Sequence, residues 1–126
     1  MKYLLVVDDD QDIQVIYKEA LSEAGFDVMI VDDAEHAYHS ILGKKPDVIL
    51  LDIMLPGKMN GLELLEKLKV DERTKEIPVI IATNLDSEEK VARQIGAADY
   101  LIKAENPPNK VVEVVKKHTN LFSKIL

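Results

Sequence analysis

The sequence contains no cysteine, so neither a disulfide nor a thiolate-bound metal can be part of its structure. It also lacks a long apolar run: no hydrophobic stretch approaches the ~20 residues needed to cross a bilayer, which argues against membrane insertion. The opening "MKYLLVV" is too short, and too soon followed by carboxylates, to serve as a signal peptide, and cytoplasm is the expected compartment. Positive charge is scarce. Sixteen Lys and Arg face 23 Asp and Glu, a formal net charge of -7, and no basic patch suited to a phosphate backbone is present, which argues against direct nucleic-acid binding. A metal cation or a basic protein surface is the better-matched partner. Internal repeats, low-complexity segments and linkers are absent too. The 126 residues suffice for one domain with a self-sufficient core, so residues 1–126 are expected to form a single domain.

What the sequence does have is a regular succession of apolar runs of strand length: "YLLVV" (3–7), "DVMIV" (27–31), "DVILL" (47–51), "PVIIAT" (78–83) and "DYLIK" (99–103). Runs apolar on both faces indicate a parallel sheet covered by helices on each side. Helical spacing fills the gaps. The first helix places Ile13, Ile16, Tyr17, Ala20, Leu21 and Ala24 on one face and stops at Gly25, while the second, about 34–44, uses Ala34, Ala37, Tyr38, Ile41 and Leu42. The third uses Leu62, Leu65 and Leu68 or Lys69; the fourth opens at "DSEEK", capped by Asp86 or Ser87, and closes at Gly96. "KVVEVVKKH" is rich in β-branched residues, yet "NPPNK" supplies a first-turn proline and Val111, Val114, Val115 and His118 follow at helical spacing, so a fifth helix is expected. The pattern is (βα)5, an α/β class with right-handed crossovers and an open, doubly wound, flavodoxin-like parallel sheet. The tail "TNLFSKIL" can extend the last helix, contact a partner or lead into a further domain; helix extension is the plainest of these.

In open parallel sheets function sits beyond the carboxyl ends of the strands, where strand order reverses. Polar residues stand at those ends: Asp8 and Asp9 after the first strand, Asp52 after the third, Thr83 ending the fourth and Lys103 ending the fifth. With strand order 2-1-3-4-5, Asp8, Asp9 and Asp52 share one pocket flanked by Thr83 and Lys103, and Asp32 and Asp33 lie apart. Three carboxylates with oxygen-only donors favour a hard cation, Mg2+ or Mn2+. Such a site suits phosphoryl chemistry. Asp52, alone at the end of "VILLD", is the candidate nucleophile, leaving Asp8 and Asp9 for metal, Lys103 to pair with Asp52 and later with the phosphoryl group, and Thr83 to donate its hydroxyl to a phosphoryl oxygen. Taken singly each residue has a plainer use, such as a helix cap for Asp8 to Asp10 or a surface position for Thr or Lys; their joint occurrence at four strand ends does not.

These residues resemble the receiver domain of two-component response regulators. "LLVVDDDQDI" is similar to that family's acidic-pair motif, "PDVILLDIMLPG" to its phosphoacceptor segment, "IPVIIATN" to its switch-threonine strand and "GAADYLIKA" to its lysine strand. The resemblance implies that Asp52 takes a phosphoryl group from a sensor histidine kinase or phosphotransferase, and that the domain is a phosphoacceptor rather than an enzyme, with at most self-catalysed phosphotransfer and dephosphorylation. It further implies that Asp9, Asp52 and the Met54 backbone carbonyl bind Mg2+, with Asp8 acting through water. The Asn84 backbone and Lys103 would hold the phosphoryl group. Thr83 and Tyr100 would form a switch pair that alters the face made by the fourth helix, fifth strand and fifth helix. That face would bind a downstream protein target or an output domain, or pair two copies of the chain. Kinase docking is expected around Gln11 to Tyr17 and the loop after the fifth strand.

Three departures from the family pattern carry expectations of their own. Ala104 follows Lys103 where proline after a cis bond is usual; a cis non-proline bond costs about 2.5 to 4 kcal/mol, so a trans bond and a displaced loop are expected. "LPGKMNG" is one residue longer than usual between its proline and the third helix. Asn84 replaces a very small residue, where it can crowd or hydrogen-bond the phosphoryl group. Met54 and Leu85, flanking the approach of water, are apolar, which predicts slow self-hydrolysis. Two rivals remain in play: a haloacid-dehalogenase-type phosphohydrolase whose D-x-D motif would be Asp8 and Asp10, and a degenerate receiver that binds partners without phosphorylation. His36 and His39, without Cys or a third His nearby, read as a solvated helix face, and "DERTKE" as a solvated loop.

Overall fold

In the computed structural model, which describes residues 1–119, strands and helices alternate along the chain. They are β1 (Tyr3–Val7), α1 (Gln11–Glu23), β2 (Asp27–Val31), α2 (Ala34–Gly43), β3 (Val48–Leu51), α3 (Gly61–Val70), β4 (Val79–Thr83), α4 (Glu89–Ile95), β5 (Asp99–Ile102) and α5 (Pro108–Thr119). The tail expected to extend the last helix lies outside the described residues from position 120 on.

All four pairings are parallel and the sheet runs β2-β1-β3-β4-β5, the expected order. Successive side chains of a strand point to opposite faces, and the core divides accordingly. Leu5, Val7, Ile49, Leu51, Val79 and Ile81 form one layer with α2 and α3. Leu4, Val6, Val48, Leu50, Ile80 and Ala82 form the other with α1 and α5. Every residue of β1, β3 and β4 is buried, as a strand covered on both sides demands. Three of the four valines of α5, Val111, Val114 and Val115, are buried at helical spacing, so packing of an amphipathic stripe overrides their strand preference.

Three local expectations are corrected. On α1, Ile16 is 42% exposed, because the buried stripe centres on Tyr17 and Leu21. On α3 the buried leucines are Leu64, Leu65 and Leu68, with Leu62 at the border of the stripe. Helix α4 is not capped by Asp86 or Ser87. Its N-cap is Glu88, with no side-chain bond: the Leu85 carbonyl accepts from the Tyr100 hydroxyl, and the chain turns through Ser87 and Glu88 before the helix begins. Within the solvated loop after α3, Thr74 is buried and donates its hydroxyl to the Leu68 carbonyl at 2.7 Å.

The long loop between β3 and α3 is held at two points. Past its middle, Gly57 adopts φ 94°, a conformation that side chains disfavour. Glu35, in the first turn of α2, lies against that glycine and accepts from the backbone N–H groups of Lys58 and Met59 at 3.2 and 3.1 Å. At its end, Asn60 and Glu63 form a reciprocal capping box. Gly61 follows, and its backbone passes so close to β3 that a Cβ there would stand 2.0 Å from the Asp52 carbonyl oxygen.

Gly61→Ala is therefore expected to destabilise the fold by roughly 2 to 3 kcal/mol, at the upper end of overpacking costs, read as a lower denaturant midpoint. Glu35→Ala leaves two loop N–H groups to water and should cost about 1 kcal/mol; amide exchange should quicken at Lys58 and Met59 while the Leu64 amide stays protected.

Candidate functional site

The sheet order brings the ends of β1 and β3 side by side, with β4 and β5 following, and the polar residues converge there. Carboxylate oxygens of Asp8, Asp9 and Asp52 lie within 4.8 Å of one another, the one group of three or more acidic or histidine side chains among the described residues close enough to share an ion. Asp8 is 2% exposed and Asp52 5%, while Asp9 opens to solvent. Lys103, just beyond β5 in a short 3-10 turn spanning Lys103–Glu105, reaches back between two of them. Its Nζ donates to Asp8 Oδ2 at 2.9 Å and to Asp52 Oδ2 at 3.0 Å.

Charge accounts for what is unusual about this cluster. Burial pushes the Asp8 carboxyl up, more than the hydrogen bonds from the Asp10 amide and from Lys103 pull it down, and the neighbouring Asp52 charge adds to the rise. For Lys103, burial acts to lower the ammonium, but the hydrogen bonds to Asp8 and Asp52 outweigh it and the group is held above the usual lysine range. One ammonium thus bonds two of three clustered carboxylates, leaving a charge deficit that a divalent cation with oxygen ligands would fill. The donor set fits Mg2+ or Mn2+, hard ions that retain several waters.

Two other aspartates near the strand ends serve as helix caps. Asp10 caps α1, accepting from the N–H groups of Asp12 and Ile13 at 2.9 and 3.2 Å. With Asp10 so engaged, a D-x-D nucleophile pair built on Asp8 and Asp10 has no second carboxylate in the cluster. Asp33 caps α2 through the His36 N–H, and its other oxygen meets His36 Nδ1 at 2.7 Å. His36 and His39 are exposed, as expected.

Thr83 is fully buried at the end of β4. Its Oγ1 accepts from the Leu85 N–H at 3.4 Å, and the buried ring of Tyr100 stands behind the same loop with its hydroxyl on the Leu85 carbonyl. Asn84 points elsewhere than expected: its Oδ1 accepts from the Ala104 N–H at 2.8 Å. No peptide bond among the described residues is cis, so the Lys103–Ala104 bond is trans. Beside the cluster a cleft of about 510 Å³ runs between the loops after β3 and β4, lined by Asp9, Met54, Leu55, Leu62, Leu85 and Glu88 among others.

Sequence reasoning missed two features. One is the second partner of Lys103, Asp8, which no local pattern signals. The other is Gln14, whose Nε2 donates to the Asp8 carbonyl at 2.7 Å and to Asp32 Oδ1 at 2.6 Å, so Asp32 is tied to the site at one remove rather than apart from it.

Comparison with known proteins agrees with this geometry. Residues 4–116 match the response regulator receiver domain family. The chain is 37% identical over 115 residues to the phosphate regulon transcriptional regulatory protein PhoB of Pseudomonas aeruginosa, covering 90% of this chain and 50% of that protein. It spans about half the length of the curated relatives it matches. The BeF3-activated N-terminal receiver domain of Klebsiella pneumoniae RstA superposes with a TM-score of 0.85 at 30% identity, over 94% of this chain and 98% of that one. The Mn(2+)-bound form of response regulator Rcp1 does so with a TM-score of 0.81 at 26% identity, over 93% of each. With its acidic cluster at the switch point of the same fold, the chain belongs to the receiver domains of two-component response regulators.

Proposed function

We propose that residues 1–126 act as one phosphoacceptor domain in which Asp52 is the residue phosphorylated. The observation that carries this reading is the Lys103 ammonium set between Asp8 and Asp52 inside a three-carboxylate cluster. Asp52 Oδ2 is engaged by Lys103, whereas Oδ1 has only a 3.3 Å contact from the Met54 N–H, which leaves Oδ1 the freer oxygen for attack. That oxygen bonds to phosphorus as the P–N bond of a phosphohistidine breaks, and the donor imidazole departs with the electron pair and takes up a proton. Lys103 then meets the new negative oxygens.

Asp9, Asp52 and the Met54 carbonyl would hold Mg2+ or Mn2+, with Asp8 sharing through water; the bound ion would neutralise phosphoryl oxygens. The Mn(2+)-bound Rcp1 structure supports a divalent cation. The Asn84 backbone and Lys103 take phosphoryl oxygens, and Thr83 turns its hydroxyl to them. Tyr100 follows as the loop after β4 moves, shifting the population of α4-β5-α5 arrangements. A sensor histidine kinase or phosphotransferase is the donor. The output is a protein target or a further domain, which the half-length match to transcriptional regulators supports, or a homodimer through α4-β5-α5. The domain turns over no substrate beyond its own phosphoryl group, and it works in the cytoplasm.

With Mg2+ and a small phosphodonor such as an acyl phosphate, the wild-type protein is expected to take one phosphoryl group and Asp52→Asn none; equal labelling of the two, or label mapped to Asp8, would overturn the assignment. Because burial disfavours the charged form of Asp8, Asp8→Asn should raise the melting temperature of the metal-free protein while weakening Mg2+ binding roughly tenfold or more. Calorimetry on both proteins checks the pair of effects, and a lower melting temperature would contradict it.

A further inference from the structure

Two loops cross the rim of the site from adjacent strands, and each begins with a residue directed at it. Thr83 ends β4 and Asn84 follows; Ile102 ends β5 and Lys103 and Ala104 follow. The strands pair up to Thr83↔Ile102, so the backbone ladder stops where the functional residues begin. Past that point one bond continues the connection, from the Ala104 N–H to Asn84 Oδ1 at 2.8 Å.

We propose that Asn84 is a positioning residue for Lys103: its side-chain carbonyl fixes the turn that carries the lysine and makes that turn move as one with the loop after Thr83. The inference rests on the reading of Asp52 and Lys103 given above. The turn Lys103–Glu105 has Ile102 at its N-cap, which offers no capping side chain, and the first N–H groups of a helical turn have no partner within it. Asn84 supplies a cap from the neighbouring loop. On the other side, Asn106 Nδ2 donates to the Ile102 carbonyl at 2.9 Å, so the turn is gripped at both ends. The capped N–H exists only because residue 104 is not proline, which has none. The link is exposed, and water would replace it at little cost in global stability. Its consequence is placement: Lys103 must set one ammonium against two carboxylates at 2.9 and 3.0 Å, and phosphoryl transfer is sensitive to shifts well below an ångström.

The link can be removed from either side, by Asn84→Ala or by Ala104→Pro, and also by Asn84→Leu, which keeps side-chain bulk without an acceptor. Phosphorylation of Asp52 from an acyl phosphate at saturating Mg2+ is expected to slow between about twofold and tenfold in each, the factor one lost hydrogen bond corresponds to. The double variant should be no slower than either single one, because both remove the same bond. Independent of phosphorylation, the Ala104 amide should exchange faster in Asn84→Ala and Asn84→Leu, and the Lys103 side-chain NMR resonances should shift; Asn84→Asp, which retains an acceptor, should keep Ala104 protected. Wild-type rates in Asn84→Ala and Asn84→Leu, or multiplicative losses in the double variant as direct phosphoryl contact by Asn84 would give, overturn the proposal. If Ala104→Pro fails to fold, the Asn84 variants and the Ala104 amide decide. If the wild-type protein itself takes no phosphoryl group, the phosphoacceptor reading fails, while the amide and lysine resonances still report on the link.

Discussion

The ammonium of Lys103 lies 2.9 Å from Asp8 and 3.0 Å from Asp52, and the rest of the site depends on that contact. Its partners lie 95 and 51 residues away in the chain, and only a sheet with β1 and β3 adjacent, continued by β4 and β5, brings the three together. Such a cluster is a poor way to stabilise a fold. Removing charges from water costs several kcal/mol per ion, and apolar residues of similar volume would commonly be as stable or more so. Asp8 shows the imbalance directly, since burial lifts its carboxyl despite a lysine within hydrogen-bond reach. What the cluster offers in return is three carboxylate oxygens within 4.8 Å of one another, a set suited to a divalent cation.

Around that cluster single polar side chains join the rim loops, while Leu55, Met59 and Leu85 of those loops also pack against the core. Gln14 links the end of β1 to the loop after β2, Glu35 holds the loop after β3, and Asn84 joins the loops after β4 and β5. Loops at the carboxyl ends of the strands cannot bury their backbone without leaving N–H and C=O groups unpaired. Side-chain acceptors and donors from neighbouring elements satisfy some of those groups while leaving the site open. Hydrogen bonds of this kind exchange readily with water. The core beneath them, with β1, β3 and β4 buried throughout, does not share that freedom.

The elements were legible wherever a single physical rule governed them. Five apolar runs bounded by helical stripes set the number and type of elements, and with strand order 2-1-3-4-5 the polar residues at the strand ends indicated the members of the cluster. Legibility failed where two rules competed. Helix α4 begins later than its capping residues suggested: the chain turns through Ser87 and Glu88 first, and Glu88 is the N-cap without a side-chain bond. On α3 the spacing pointed to Leu62, but the buried leucines are Leu64, Leu65 and Leu68, and Leu62 stands at the border of the stripe. The β-branched run of α5 became a helix because its valine stripe had a sheet face to cover.

By itself the sequence determined the class of fold, the three carboxylates and the lysine, since alternation of apolar runs and the chemistry of oxygen ligands are local properties of residue type and spacing. It also showed that residue 84 could form a side-chain hydrogen bond and that residue 104 kept its N–H. Only the tertiary structure decided that these two groups meet, that Lys103 serves Asp8 as well as Asp52, and that Glu35 holds a loop more than twenty residues away. Those pairings depend on how neighbouring strand ends and helix turns lie in space, and side chains brought together by a sheet leave no mark in the spacing of the chain.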